Sequence, residues 1–152
     1  MMKASRTIRL TLGDSFEVMA TYPENSIGAV ISDPPYGIGF MGKQWDAIHE
    51  MQRWHETWLT EAYRILIPGG IIKAFSATRT YHRLAMAMHE VGFENIHGEA
   101  WCYGSGFPKS LNVGKALEKA GELELAKQFE GYGTALKPAY EIFICARKPG
   151  RE

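Results

Sequence analysis

The chain has 152 residues, of which 45% are hydrophobic and 22% are charged, and its formal net charge is zero. These values fit a single soluble globular domain over residues 1–152, and the zero net charge excludes a global electrostatic attraction for nucleic acid. No apolar run approaches the roughly 18 residues of a membrane span, and the N-terminus lacks the apolar core of a signal peptide. We therefore expect no membrane partner and a cytoplasmic location.

The first predicted elements are a short strand and a helical turn, joined by Gly13 and Asp14. Residues 8–12 alternate between apolar and polar side chains, which is typical of a strand. Residues 15–19 predict a short helix, and Asp14 is placed to act as its N-cap. Residues 27–31 (Ile-Gly-Ala-Val-Ile) form a continuous apolar run, which predicts a buried strand.

Asp33-Pro34-Pro35-Tyr36 follows directly after this strand, where ligands bind in open α/β sheets. Each proline fixes its own φ and pushes the preceding residue toward an extended conformation. The Asp33 carboxylate and the Pro34 carbonyl therefore form two rigid acceptors beside the Tyr36 ring. This arrangement suits a planar ligand that carries an NH₂ group, whose ring stacks on Tyr36 with a gain of about 1–3 kcal/mol. A proline-stiffened turn with a satisfied aspartate is the simpler alternative.

The rest of the chain alternates between helix and strand. In order, the pattern predicts a helix over residues 51–66 that stops at 68–70, a strand over 71–75, a helix over 81–91, a strand over 96–103, short helices over 113–120 and 123–129, and a strand over 142–146. Such alternation favours right-handed βαβ units, so we expect an α/β fold with a mostly parallel sheet flanked by helices. Ser76 or Thr78 is expected to cap the helix that Gly92 ends.

Three loops carry further candidate residues. Trp45 lies in the loop over residues 37–46, where it either closes over a ligand or packs into the core. Arg79 follows the strand over 71–75, at the same sheet edge as Asp33 if the two strands are parallel. Lys109 and Ser110 end a glycine-rich loop that can cradle a phosphate, which by itself is a weak signal.

The cysteines and histidines do not indicate a metal site. Cys102 and Cys145 lie in apolar segments, so we expect both to be reduced and buried. Neither they nor the five histidines show the spacing of metal ligands, and no metal is expected. His82 and His89 are expected to be solvated helix residues.

The Asp33-Pro34-Pro35-Tyr36 stretch resembles the catalytic motif of the DNA methyltransferases that methylate exocyclic amines, N6 of adenine or N4 of cytosine. Longer strings are similar to one subgroup of that family, which is common in phages and bacterial chromosomes: residues 40–46, 78–84, 101–113 and 133–141. The resemblance implies a Rossmann-like methyltransferase fold, S-adenosylmethionine as the cofactor, DNA as the partner, and a bacterial or phage-infected host cell. The aspartate form of the motif is the one most often tied to adenine N6, with cytosine N4 as the alternative.

The resemblance also implies a role for each candidate residue. Catalysis falls to Asp33, Pro34, Pro35 and Tyr36; cofactor binding to Gly13, Asp14 and Asp33; and contact with DNA to Tyr36, Trp45, Arg79, Lys109 and Ser110. Methylation of a cytosine carbon would need a Pro-Cys pair, which the sequence lacks. The related protein glutamine methyltransferases carry Asn where Asp33 stands, whereas an RNA substrate stays open.

The resembling family is permuted, with the Asp-Pro-Pro-Tyr half first and the cofactor half second. That second half carries a Phe-x-Gly-x-Gly loop against the methionine part of the cofactor, and these 152 residues contain no such loop. The chain is then a fragment, a short protein whose partner supplies the loop, or a non-catalytic remnant that binds DNA or protein. Because the missing strands would separate residues 8–12 from residues 29–31, we expect exposed sheet edges and self-association, association with a partner, or local rearrangement.

Overall fold

A computed structural model describes residues 7–39, 42–46, 49–104, 111–134 and 139–150. Its elements are α1 (Ser15–Ala20), β1 (Ile27–Ser32), α2 (Met51–Ile65), β2 (Leu66–Ser76), α3 (Tyr81–Val91), β3 (Glu94–Cys102), α4 (Val113–Lys119), α5 (Leu123–Gln128) and β4 (Tyr140–Arg147). The strands form one four-stranded sheet in the order β1-β2-β4-β3, and β1 and β2 are parallel. The expected α/β class, a sheet flanked by helices, is confirmed.

The first compact unit comprises residues 1–99 and 143–152. Its core combines the buried faces of α2 and α3, which pack on each other, with alternate side chains of β2 such as Ile72 and Ala74. Because successive strand residues point to opposite faces, Ile71 and Lys73 lie on the other face of the sheet. That face is more accessible, and Ile31 is 75% exposed.

The N-terminal segment differs from the expectation. Residues 8–12 form no strand, and Ile8, Leu10 and Leu12 are all exposed. An alternating pattern becomes a strand only when a neighbouring strand pairs with it, and the structure places none beside these residues among those it describes. No described strand pairs with β1 on the side away from β2, so β1 lies at the sheet edge and is largely accessible. The prediction of a buried strand was therefore wrong.

Pro68-Gly69-Gly70 does not end a helix. Helix α2 ends at Ile65, and these three residues lie inside β2. The pairing with β1 shifts between the Ile27–Leu66 and Ala29–Ile71 pairs, so the intervening residues of β2 bulge outward. Gly69 has a φ of 78°, which favours glycine. The predicted helix stop at residues 68–70 was therefore wrong, and these residues mark a bulge or irregularity in the pairing of β2 with β1.

Lys148, which follows β4, forms hydrogen bonds with the C-terminal end of α2. Its ammonium donates hydrogen bonds to the carbonyls of Tyr63 and Leu66, each at 2.8 Å, and to Oδ1 of Asn25 at 2.9 Å. These contacts use all three ammonium donors and satisfy carbonyls that the helix leaves free at its end. Burial lowers the pKa of Lys148.

Two of the residues predicted to begin or end a helix, Asp14 and Gly92, have the predicted role. The Asp14 carboxylate caps α1 by accepting hydrogen bonds from the backbone N–H groups of Phe16 and Glu17. Gly92 ends α3 with a φ of 102°. Ser76 and Thr78 do not cap α3, because the helix begins one residue after Thr80, whose side chain makes no capping bond. Ser76 is instead buried at the end of β2.

His55 is a buried histidine of α2 that is neutral in the folded chain. Trp58 Nε1 donates to His55 Nδ1 at 3.0 Å, so the proton of the neutral ring lies on Nε2. Burial lowers the pKa of His55 from 6.5 to about 4. By contrast, His82 and His89 are exposed, as expected.

We predict that this histidine destabilises the fold in mild acid. The unfolded chain gains a proton on His55 as the pH falls through 6.5, whereas the folded chain resists protonation down to about 4. Above pH 6.5 the histidine is neutral in both states and costs the fold nothing. As the pH falls from 6.5 to about 4, the free energy of unfolding decreases by up to about 3 kcal/mol. Urea unfolding of the parent chain and of His55→Gln across the window measures the difference, with His82→Gln as the exposed control. Equal pH slopes for parent and His55→Gln would contradict the assignment.

The second compact unit comprises residues 100–142. Helices α4 and α5 approach each other closely at Gly114, which has no side chain. A Cβ at this position would lie 3.0 Å from the carbonyl oxygen of Phe129. Asn112 caps α4 through a bond from the Lys115 N–H, which confirms the predicted short helix. Cys102 is exposed, so its expected burial was wrong. One domain over residues 1–152 stays a prediction.

Candidate active site

Asp33 lies immediately after β1, at the edge of the sheet where the parallel strands β1 and β2 end. Arg79 follows β2 at the same edge, as the sequence predicted for parallel strands, and it is exposed. The fold therefore brings a carboxylate and a guanidinium to one edge of the sheet. In open α/β sheets this edge is where ligands bind.

The Asp-Pro-Pro-Tyr stretch holds the Asp33 carboxylate in place and keeps it accessible. Tyr36 Oη donates a hydrogen bond to Asp33 Oδ1 at 2.7 Å. Pro34 is buried and Pro35 is half-buried, so the backbone between the two polar side chains is anchored. Asp33 is exposed, and its Oδ2 has no hydrogen-bond partner among the described residues. The site thus presents an oriented acceptor to an incoming donor.

Asp46 holds the loop that follows this stretch, and sequence analysis missed it. Its exposed fraction is 1%. Its Oδ1 accepts from the Gly37 N–H at 2.8 Å, its Oδ2 accepts from the Ile38 N–H at 3.2 Å, and its carbonyl accepts from the Gly39 N–H at 3.1 Å. The sequence offered one indication of this role, because Asp46 is the one residue with a carboxylate side chain within residues 37–46.

Gly37 joins this loop to the start of α2. It has a φ of 67°, and a Cβ there would lie 2.7 Å from Sδ of Met51. Both the backbone conformation and the close approach therefore require glycine. Met51 also lines a polar cleft of about 660 Å³ with His49, Glu50, Gln52, Arg53, Glu56 and Arg83. Arg53 lies 3.8 Å from Glu50, while Arg83 has no ion-pair partner in the described part of the chain.

The other predicted site residues have mixed outcomes. Trp45 is 58% exposed, which contradicts packing in the core, one of its two predicted alternatives, and leaves it available to a ligand. Asp14 uses Oδ1 to cap α1, and a cofactor contact by Gly13 and Asp14 stays a prediction. Lys109 and Ser110 lie outside the described residues.

A second polar cluster lies on the accessible face of the sheet. Glu99 on β3 accepts hydrogen bonds from Lys73 Nζ on β2 at 3.0 Å and from Cys145 Sγ on β4 at 3.2 Å, and His97 Nε2 lies 3.2 Å from Glu99 Oε1. The bond from Lys73 lowers the pKa of Glu99, and the same bond raises the pKa of Lys73. Burial and the neighbouring carboxylate raise the pKa of Cys145 to about 11.

The described residues place an accessible carboxylate after an edge strand of an α/β sheet, followed by two prolines and an aromatic ring. Comparison with known proteins gives the family: residues 27–152 match the N6/N4 family described as DNA methylase, and the chain belongs to that family.

Three relatives illustrate the likeness. The Type II methyltransferase M.HindIII of Haemophilus influenzae is 23% identical over 90% of this chain and 56% of its own length. The PvuII DNA methyltransferase, described as cytosine-N4-specific, has a TM-score of 0.61 at 19% identity over 91% of this chain and 49% of its own. A putative DNA modification methylase of Thermus thermophilus, complexed with S-adenosyl-L-methionine, has a TM-score of 0.55 at 22% identity over 92% of this chain and 53% of its own.

The chain therefore spans about half the length of the relatives it matches. The likeness to the solved structures establishes a methyltransferase fold. Within the described ranges, no helix is long and apolar enough to cross a membrane.

Proposed function

We propose that this chain is the Asp-Pro-Pro-Tyr half of a permuted DNA amino-methyltransferase that methylates N6 of adenine. The observation that carries the proposal is the accessible Asp33 carboxylate, which Tyr36 orients at the edge where β1 and β2 end. Membership of the N6/N4 DNA methylase family supports a DNA substrate with an exocyclic amine. The exposed Arg79 and Trp45 are then candidates to contact the DNA.

The proposed chemistry depends on positioning. The target base lies inside a duplex and must first leave the stack, after which its ring stacks on Tyr36. Asp33 and the Pro34 carbonyl accept hydrogen bonds from the amine N–H groups and so favour a pyramidal nitrogen whose lone pair is free to react. When bound, S-adenosylmethionine would supply the electrophilic methyl group for an in-line displacement: the N–C bond would form as the C–S bond breaks, the sulfur would leave as a neutral thioether, and the amine would lose one proton to solvent. Orientation and preorganised acceptors lower the barrier, and no covalent intermediate with the protein is needed.

Part of the cofactor site is expected to come from outside these 152 residues. Gly13, Asp14 and Asp33 are the residues of this chain that would contact the cofactor. The Phe-x-Gly-x-Gly loop must come from a partner segment, unless a second copy of this chain completes the cofactor site without that loop. Three features support such an association: the edge of β1 that no described strand pairs with, the exposed Ile8, Leu10 and Leu12, and the accessible Ile31. Light scattering that shows a stable monomer at high concentration would contradict self-association.

Cytosine N4 is the second candidate target. The fold likeness to an enzyme described as cytosine-N4-specific supports it, while the aspartate at position 33 favours adenine. The two amines have the same donor geometry toward Asp33, so the product must be identified chemically.

The first test is a calorimetric titration of the full chain with S-adenosylmethionine, with the oligomeric state measured in parallel. Micromolar binding by an oligomer supports a site that a second copy completes, and absence of binding shows that a loop-bearing partner is needed. Mass spectrometry of DNA digests then distinguishes N6-methyladenine, which supports the proposal, from N4-methylcytosine, which supports the alternative. Cofactor binding without methylation of any DNA would overturn the proposed function and favour a non-catalytic remnant.

A further inference from the structure

Three different metal-ligating groups converge on the accessible face of the sheet, apart from the Asp-Pro-Pro-Tyr stretch. One ring nitrogen of His97, one carboxylate oxygen of Glu99 and the sulfur of Cys145 all lie within 4.8 Å of one another. His97 and Glu99 are on β3 and Cys145 is on β4, which are neighbours in the sheet. Sequence spacing could not reveal this cluster, because strand pairing brings position 145 next to positions 97 and 99.

The hydrogen bonds of His97 direct one ring nitrogen at the cluster. Nδ1 lies 2.8 Å from the backbone carbonyl of Asn95, and a carbonyl can only accept, so Nδ1 carries a proton. In the neutral ring, Nε2 then holds a lone pair, and it lies 3.2 Å from Glu99 Oε1, which also only accepts when ionised. Two acceptors face each other at this distance, which requires either a second ring proton or a cation between them. Fixing Nδ1 through a backbone carbonyl is the usual support of a metal-ligating histidine.

The spacing fits a tetrahedral ion. With metal–ligand bonds of about 2.0–2.3 Å, tetrahedral ligand atoms lie about 3.3–3.8 Å apart. The observed separations are 3.2 Å from Glu99 Oε1 to His97 Nε2 and 3.2 Å from the same oxygen to Cys145 Sγ. The third pair, the His97 ring nitrogen and Cys145 Sγ, lies within 4.8 Å. Side-chain rotations that close this pair would bring all three atoms to bonding distance of one ion.

The surroundings set the charge and access of the cluster. Cys145 is 5% exposed and held by the strand, whereas His97 is exposed, so an ion can enter from solvent. Lys73 bonds the other carboxylate oxygen, Oε2, and leaves Oε1 for the ion. Its positive charge opposes a cation, and the Cys145 thiol must release its proton to solvent as the ion binds. The carboxylate and the resulting thiolate then contribute two negative charges.

We propose that His97, Glu99 and Cys145 bind one divalent ion of the Zn²⁺ type, with water in the fourth position. Imidazole, carboxylate and thiolate together are a ligand set that zinc accepts and that Mg²⁺ or Ca²⁺ does not favour. The ion joins β3 to β4 on the face of the sheet that the helices α2 and α3 leave accessible. This site does not depend on the proposed methyl transfer.

The test is titration of the metal-free, reduced full chain with Zn²⁺ and, separately, with Co²⁺ as a spectroscopic probe. We expect one equivalent to bind with micromolar or tighter affinity, a thiolate-to-cobalt absorption band, and a rise in the unfolding temperature. His97→Gln, which changes an exposed side chain, should weaken binding at least about tenfold, because changes to residues that merely support a metal ligand already reach that range. Cys145→Ser should remove the absorption band.

Matched controls separate this site from adventitious binding. Cys102→Ser changes the other, exposed cysteine, and His89→Gln changes an exposed helix histidine; both should bind as the parent does. Absence of binding at tens of micromolar metal would overturn the proposal. So would binding that survives both His97→Gln and Cys145→Ser, or a thiolate band that disappears in Cys102→Ser.

Discussion

Asp33→Ala is expected to reduce methyl transfer by at least about 10²–10³-fold, the range found when one preorganised polar contact is removed from an active site. In the proposed mechanism this carboxylate accepts a hydrogen bond from the target amine, so without it the nitrogen lone pair would no longer be directed at the methyl group. Because Asp33 is exposed and its carboxylate accepts from the nearby Tyr36 hydroxyl, the fold should stay intact. The measurement is transfer of labelled methyl groups to DNA by the active assembly, with thermal unfolding as the check on folding.

Two graded variants sharpen this experiment. Asp33→Asn keeps an acceptor oxygen and should retain part of the activity. Tyr36→Phe removes the 2.7 Å bond to Asp33 but keeps the ring, so it should lose less activity than Tyr36→Ala if stacking is the main role of that side chain. Activity of Asp33→Ala within a few-fold of the parent would remove this carboxylate from the mechanism.

Local patterns predicted the elements that depend on neighbours in sequence. Helical spacing predicted α2 and α3, Gly92 marked the end of α3, and Asp14 was identified as a cap, because each signal acts within one or two turns. The position of Asp33 at the end of β1 was predicted for the same reason. Residues 8–12 show the limit, since their alternation is correct for a strand and yet the described structure contains no partner beside them.

The burial of single side chains was predicted less well. Trp45 and Cys102 are apolar in character but exposed, and Asp46 is charged but buried. Asp46 is buried because three backbone N–H groups of a glycine-rich loop need acceptors, a requirement that depends on loop geometry. The His97, Glu99 and Cys145 cluster depends on strand order, which alternation between helix and strand does not determine.

Asp46→Ala is expected to lower the free energy of unfolding by about 2–4 kcal/mol, because it leaves the partly buried N–H groups of Gly37 and Ile38 without their carboxylate acceptor. Urea unfolding measures this loss. Asp46→Asn keeps one acceptor oxygen and should lose less. Gln44 and Asp46 lie on one short 3-10 helix, Gln44–Asp46, and Gln44 is exposed. Gln44→Ala is therefore the matched control and should stay within about 0.5 kcal/mol of the parent.

Substitution of Asp46 also distinguishes an effect on the loop after Tyr36 from an effect on the stability of the whole chain. If Asp46 positions the loop after Tyr36, hydrogen exchange at Gly37 and Ile38 should accelerate in Asp46→Asn well below the unfolding midpoint, while exchange within α2 and β2 stays as in the parent. Methyl transfer should then fall through kcat with little change in cofactor affinity, since the loop follows the carboxylate that orients the amine. Uniform acceleration of exchange across the chain would instead show that Asp46 only stabilises the fold, and an unchanged unfolding midpoint would contradict the role of its buried carboxylate altogether.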